Sequence, residues 1–128
     1  MTRLLTAALL AAIAFAAGVL TVRGQEAERY SPSTRAGRPA LEALVADHFP
    51  PDQVAAALAV IACESRFDPA ATGAAGEVGL FQLQPAYWRR LAERLFWPGV
   101  SLYDAEVNVA TAAALWRLSG WRPWSCRP

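Results

Sequence analysis

The residue of this sequence best suited to acid–base chemistry is Glu64, which directly follows the apolar run VAAALAVIAC over residues 54–63. At helical spacing Glu64 shares a stripe with Ala57 and Val60, and the neighbouring stripe is also apolar. A helix with almost no polar face is predicted to lie inside the domain, where desolvation and the helix dipole favour a neutral carboxyl. We therefore predict that Glu64 is a catalytic acid; the alternative is a partnered or surface-facing glutamate.

The two cysteines of the chain, Cys63 and Cys126, allow one disulfide. A bridge between them would pin the C-terminal tail against the predicted helix, and loop closure over this length is worth about 4 kcal/mol. The alternative is a buried free thiol at Cys63. We favour the bridge, because Cys126 lies in a polar tail where a lone thiol has no packing role.

The elements that would position these residues are four predicted helices. Apolar residues recur at helical spacing, and prolines and glycines separate the helical stretches. The predicted helices are 40–49, 52–66, 85–96 and 104–118, followed by a tryptophan-containing tail. No strand pattern alternates along the chain, so residues 40–128 are predicted to form one small all-α domain.

The N-terminal residues 1–22 are typical of an export segment, because Arg3 precedes a long apolar stretch. A cleaved signal peptide and an uncleaved membrane anchor both fit, since Ala14-Phe15-Ala16 suits cleavage while the apolar stretch approaches spanning length. Residues 23–39 are polar and predicted to be a disordered linker. Both alternatives predict an exported domain, in the periplasm, in the cell wall or outside the cell. If the segment is not cleaved, we expect this anchor to be the only contact with the membrane.

Charge and composition argue against several partners. The 128 residues carry a net charge of +1, with twelve arginines and eleven acidic residues scattered along the chain. We expect no nucleic acid partner, because no basic face is apparent. We also expect no metal and no other cofactor, because His48 is the only histidine and no cluster of ligands accompanies it.

Two linked motifs resemble the soluble lytic transglycosylase domain of the lysozyme-like superfamily, in its short single-domain form. They are ESRFDP over residues 64–69 and GEVGLFQLQP over residues 76–85, and Asn108-Val109-Ala110 matches a later family segment. The tail GWRPWSC over residues 120–126 resembles members that pair a cysteine before the catalytic glutamate with one after a tryptophan-rich tail. The resemblance covers residues 52–126 and implies a helical member of this α+β superfamily.

The resemblance implies that Glu64 is the acid/base, that Gly76 and Gly79 shape a loop closing a groove, and that Gln82 faces the sugar. Together with aromatic residues suited to stacking on sugars, the predicted substrate-binding residues are Ser65, Gly76, Gly79, Leu80, Gln82, Tyr87, Tyr103 and Asn108. The chain departs from the family at Gly73, where serine is frequent, and at Glu77, where a small residue is usual.

The implied activity is cleavage of the β-1,4 bond between N-acetylmuramic acid and N-acetylglucosamine in peptidoglycan, with Glu64 as single acid/base and a 1,6-anhydro product. Two alternatives remain. If Glu77 or Asp104 holds a water across the sugar, the enzyme is a muramidase that hydrolyses the bond. The second alternative is a lysozyme-like module that binds the cell wall and has no catalytic activity. The expected partner is the glycan strand, and the expected state is a monomer.

Overall fold

The computed structural model describes residues 37–128, which form four α-helices, a long loop and a C-terminal tail. The helices are α1 (Gly37–His48), α2 (Val54–Ser65), α3 (Pro85–Leu95) and α4 (Ala105–Ser119), with a 3₁₀ turn at Pro51–Gln53. Within these residues there is no β-strand; two isolated bridges join Thr72 to Val78 and Val78 to Leu83. The all-α prediction is confirmed.

The predicted export segment 1–22 and nearly all of the predicted linker lie outside the described residues. Helix α1 already includes Gly37–Pro39, the last part of that linker, because a proline is tolerated in the first turn of a helix. None of the helices described here combines the length and the apolar character that a membrane crossing requires.

The helix ends follow from local chemistry. Helix α2 ends at Ser65 and is capped by Arg66, which adopts a left-handed conformation (φ 54°) and donates its N–H to the Ala62 carbonyl. Helix α3 begins at Pro85, whose missing N–H costs nothing at a first helical position. Asp104 caps α4 by accepting the Val107 N–H at 3.1 Å. One carboxylate oxygen of Asp104 is therefore used by the cap, and the suggestion that Asp104 holds a catalytic water stays a prediction.

The helix with the most buried residues is α4, with nine, whereas α2, which the apolar run predicts to lie inside the domain, is only partly enclosed. Helix α2 buries Ala57, Val60 and Ile61 but leaves Ala55 and Ala59 exposed. The prediction is wrong in this respect because an alanine methyl contributes only about 0.8 kcal/mol when buried. An alanine-rich face can therefore meet solvent at little cost.

An aromatic cluster joins the end of α1, the loop, the end of α4 and the tail. Neighbouring ring centroids are 5.3–6.0 Å apart. Its members are Phe49, Phe81, Trp116, Trp121 and Trp124. The indole N–H of Trp121 donates to Gln53 Oε1, and that of Trp124 donates to the Phe81 carbonyl, each at 3.0 Å. The buried indole of Trp124 and the half-buried indole of Trp121 therefore both have hydrogen-bond partners, as is usual for tryptophan away from water.

The loop 66–84 is held against α4 by the fully buried side chain of Asn108. Its Nδ2 donates to the carbonyls of Val78 (3.0 Å) and Leu102 (2.8 Å), and its Oδ1 accepts the Phe81 N–H at 2.9 Å. Gly79 (φ 75°) lies against this amide, and a Cβ there would approach the Leu102 carbonyl to 2.8 Å. These contacts from α4 fix the shape of the loop.

The disulfide between Cys63 and Cys126 is present, with their Cα atoms 6.0 Å apart across a sequence separation of 63 residues. The favoured alternative of the sequence analysis is thus confirmed, and Cys63 is not a free thiol. The bridge fastens the tail to the last turn of α2, so the chain end is attached one residue away from Glu64.

Replacing Asn108 with alanine should destabilise the protein by about 2–4 kcal/mol, because buried backbone groups of the loop would lose their hydrogen bonds to its side chain. Urea unfolding followed by tryptophan fluorescence measures the change. A matched control is Thr111→Val on the same helix, because the buried Thr111 hydroxyl has no partner among residues 37–128. That exchange should be neutral or stabilising by up to about 1 kcal/mol. Equal losses in both variants would contradict the role given to Asn108.

Reducing the disulfide should lower the free energy of unfolding by about 4 kcal/mol, the loop-closure value for a bridge of this span. The measurement compares urea unfolding with and without a reductant. The double variant Cys63→Ser/Cys126→Ser should match the reduced protein and show no response to reductant, since the chain has no other cysteine. An unchanged urea midpoint after complete reduction would show that the bridge is not a stabilising element.

Candidate active site

A cleft of about 580 Å³ opens between the loop 66–84, helix α3 and the C-terminal tail. Its volume lies within the range of about 300–1,000 Å³ typical of ligand-binding clefts. The residues that line it are Glu64, Gly73, Ala74, Glu77, Gln82, Leu83, Gln84, Tyr87, Trp88, Leu115, Pro123, Trp124 and Ser125. The predicted acid Glu64 and the predicted sugar-facing residue Gln82 therefore share one cleft.

Glu64 is half-buried at the end of α2, so its carboxyl is neither enclosed in the core nor free in solvent. Its Oε1 accepts the backbone N–H of Cys126 at 3.2 Å. Within residues 37–128 no other hydrogen bond and no ion pair reaches this carboxyl group. One oxygen is thus held in place while the other is available to a ligand, which is an arrangement suited to transferring a proton.

Gln82 is held in an uncommon conformation beside the cleft. Its φ of 48° is in the left-handed region, which costs a non-glycine residue about 1 kcal/mol or more unless the surroundings enforce it. Its Nε2 donates to the carbonyls of Ala71 (3.2 Å) and Gly79 (2.9 Å). Both amide hydrogens are used by the loop, so the amide oxygen is left as an acceptor.

The aromatic residues divide between the cleft and the core. Tyr87, with 74% of its surface exposed, and the half-buried Trp88 line the cleft from α3. Tyr103 does not line it: its hydroxyl pairs with Thr72 Oγ1 at 2.6 Å, and its ring borders a second cavity of about 390 Å³. Of the two tyrosines proposed as sugar-stacking residues, the geometry therefore supports Tyr87 alone.

Three predicted substrate-binding residues are buried beneath the cleft and do not line it. Ser65 donates its hydroxyl to the Ile61 carbonyl at 3.1 Å, Leu80 is fully enclosed, and Asn108 holds the loop. Their predicted contact with a ligand is corrected, because none presents its side chain to the cleft. Gly76 (φ 87°) and Gly79 (φ 75°) likewise shape the loop without lining the cleft.

Several cleft residues were not among the predicted site residues. Gln84 lines the cleft and donates its Nε2 to the Ala75 carbonyl at 2.9 Å. No pattern in the sequence marked it, because Gln82 lies in a turn with a left-handed backbone and Gln84 directly precedes α3. The tail residues Trp124 and Ser125 also line the cleft, and only the predicted disulfide hinted that the tail comes so close.

Comparison with known proteins supports the resemblance seen in the motifs. The family model described as Transglycosylase SLT domain matches residues 46–119. Comparison with curated proteins and with solved structures found no significant match. The family match covers more than half of the chain and contains Glu64, the loop 66–84 and Asn108. By this match, together with its helical fold, the chain belongs to the transglycosylase SLT domain family.

Proposed function

We propose that this protein is a peptidoglycan lytic transglycosylase that cleaves the β-1,4 bond between N-acetylmuramic acid and N-acetylglucosamine, with Glu64 as its single acid/base. The observation that carries the proposal is a half-buried, singly hydrogen-bonded carboxyl in the wall of a cleft that also holds Gln82. Membership of the SLT family supports peptidoglycan as the substrate.

In the proposed reaction the neutral carboxyl of Glu64 donates its proton to the glycosidic oxygen as the bond from this oxygen to C1 of the muramyl sugar breaks. The Glu64 carboxylate then takes the proton from the 6-hydroxyl of the same sugar, and the oxygen of that hydroxyl attacks C1. The products are a free 4-hydroxyl on the glucosamine residue and a 1,6-anhydromuramyl end. No water is consumed, and Glu64 returns to its neutral form.

The other cleft residues suit binding and orientation. Tyr87 and Trp88 offer aromatic surfaces on which sugar rings can stack. The Gln82 amide oxygen is placed to accept a hydrogen bond from an acetamido N–H or a hydroxyl group. The Cys126 N–H holds one Glu64 oxygen, which limits the rotation of the carboxyl group in the cleft.

A second candidate function is hydrolysis of the same bond, and one observation favours it. Among residues 37–128, Glu77 is the one other carboxylate that lines the cleft. Glycosidases that use water generally employ a second carboxylate to activate it or to attack the sugar. If Glu77 had this role, the product would carry a reducing end in place of the anhydro ring.

The proposed site of action is outside the cytoplasm, in the cell wall or the periplasm. The disulfide supports this, because such bonds persist in oxidising compartments and are rare in reducing ones. The export segment and the monomeric state remain predictions from the sequence.

Replacing Glu64 with glutamine should lower the release of muropeptides from purified peptidoglycan by about 10²- to 10⁴-fold, the usual loss on removing a general acid. Mass spectrometry identifies the anhydro product, which is lighter than the reducing product by one water. The control is Glu106→Gln, because Glu106 is exposed on α4 and does not line the cleft. Equal activity of wild type and Glu64→Gln would show that Glu64 is not the catalytic residue. If wild type binds peptidoglycan but releases no muropeptides, the protein is an inactive binding module.

The same product analysis separates the two candidate reactions. A transglycosylase yields anhydro ends, and Glu77→Gln should leave the proportion of anhydro to reducing ends as it is in wild type. If wild type instead releases reducing ends and Glu77→Gln loses them, the hydrolase is the correct assignment.

A further inference from the structure

The loop side of the cleft is a surface of hydrogen-bond acceptors. Gln82 uses both hydrogens of its amide on the carbonyls of Ala71 and Gly79, and Gln84 uses one on the carbonyl of Ala75. Reversing either amide would set its oxygen against a carbonyl oxygen, so the backbone determines the orientation. The two side-chain oxygens are therefore left to accept hydrogen bonds from a ligand.

Glu77 adds a carboxylate to this surface and is itself held in place by the loop. Its Oε2 accepts the Ala75 N–H at 3.1 Å, and the residue is half-buried in the cleft wall. A Cβ on Gly73 would collide with Glu77 Oε2 and would lie 2.7 Å from Gln82 Oε1. The missing side chain at Gly73 thus makes room for the Glu77 and Gln82 oxygens on the same side of the loop.

Among residues 37–128, no positive side chain lines the cleft to balance these groups. Its lining residues include two carboxylates, Glu64 and Glu77, and no arginine or histidine. The one salt bridge within residues 37–128 joins Arg38 to Glu42, so Glu77 is not paired there. A cleft lined by one sign of charge concentrates ligands of the opposite sign. A protonated primary amine fits best, because it has three N–H donors and a positive charge.

We propose that Glu77, assisted by the Gln82 amide oxygen, forms a subsite for the ammonium group of a glucosamine residue that lacks its acetyl group. The subsite makes Glu77 a specificity-determining residue for partly de-N-acetylated glycan strands. An acetamido group has one N–H and no charge, so it gains less from these acceptors. This inference rests on the proposed glycan-cleaving function and names the substrate class that the cleft prefers.

The test uses the full-length protein carrying Glu64→Gln, which prevents turnover and leaves Glu77 as the carboxylate under study. It is titrated by calorimetry with fully acetylated chitotetraose and with tetramers that carry one free amine at each position in turn. Mildly acidic buffer of low ionic strength keeps the sugar amine protonated. A stem peptide with a free side-chain amine is titrated as well, to test whether the subsite binds a peptide amine and not a sugar amine.

We expect at least one amine-bearing tetramer to bind about threefold to tenfold more tightly than the acetylated one. Added salt should reduce this preference, because the subsite is open to solvent. A second Glu77→Gln substitution should abolish the preference, and its amide oxygen can still accept the Ala75 N–H, so the fold should be retained. Glu77→Asp, with its charge one methylene further back, should weaken the preference.

The matched control is a second Glu106→Gln substitution, which removes the same charge outside the cleft and should leave the preference intact. A preference that survives Glu77→Gln, or Glu77-dependent binding of the peptide amine alone, would overturn the proposal. Binding of the acetylated tetramer with no amine preference would also overturn it, while the glycan-cleaving function would stand. If no tetramer binds at all, both proposals fall together.

Discussion

The buried amide of Asn108 is the interaction on which the candidate site depends. The loop 66–84 forms the cleft wall without a helix or a strand, so its backbone groups need other partners. Asn108 supplies one acceptor and two donor contacts, and it bonds Val78, Phe81 and Leu102 simultaneously. Because its helix has the most buried residues of the four, the loop is anchored to the buried core of the domain. The position of Gln82 follows from this anchor.

The other wall of the cleft is assembled by covalent and aromatic contacts. The disulfide fastens the tail beside Glu64, and Trp124 packs on Phe81 while donating its indole N–H to the Phe81 carbonyl. The family match ends at residue 119, so the tail residues Trp124 and Cys126, which contact Phe81 and Glu64, lie outside the matched segment. The site is therefore completed by a tail that the matched segment does not include.

Electrostatics give the cleft its chemical character. Its loop side presents carboxylate and amide oxygens, because the loop backbone uses both amide hydrogens of Gln82 and one of Gln84. In the same cleft, the aromatic surfaces of Tyr87 and Trp88 provide apolar contact. A polar acceptor face beside an aromatic face matches a sugar, which has hydroxyl and N–H donors at its edge and C–H groups on its face.

The sequence by itself determined the helices, since apolar spacing and prolines are local signals, and their predicted ends agree with the structure to within three residues. It also limited any disulfide within the chain to Cys63 and Cys126 and favoured that bridge, which the structure contains, and its motifs singled out Glu64 and Gln82. Only the tertiary structure decided which side of each element meets the cleft. Asn108 and Leu80 turn inward, Tyr103 borders another cavity, and the tail approaches Glu64. These outcomes depend on contacts between residues far apart in the chain, which local periodicity does not encode.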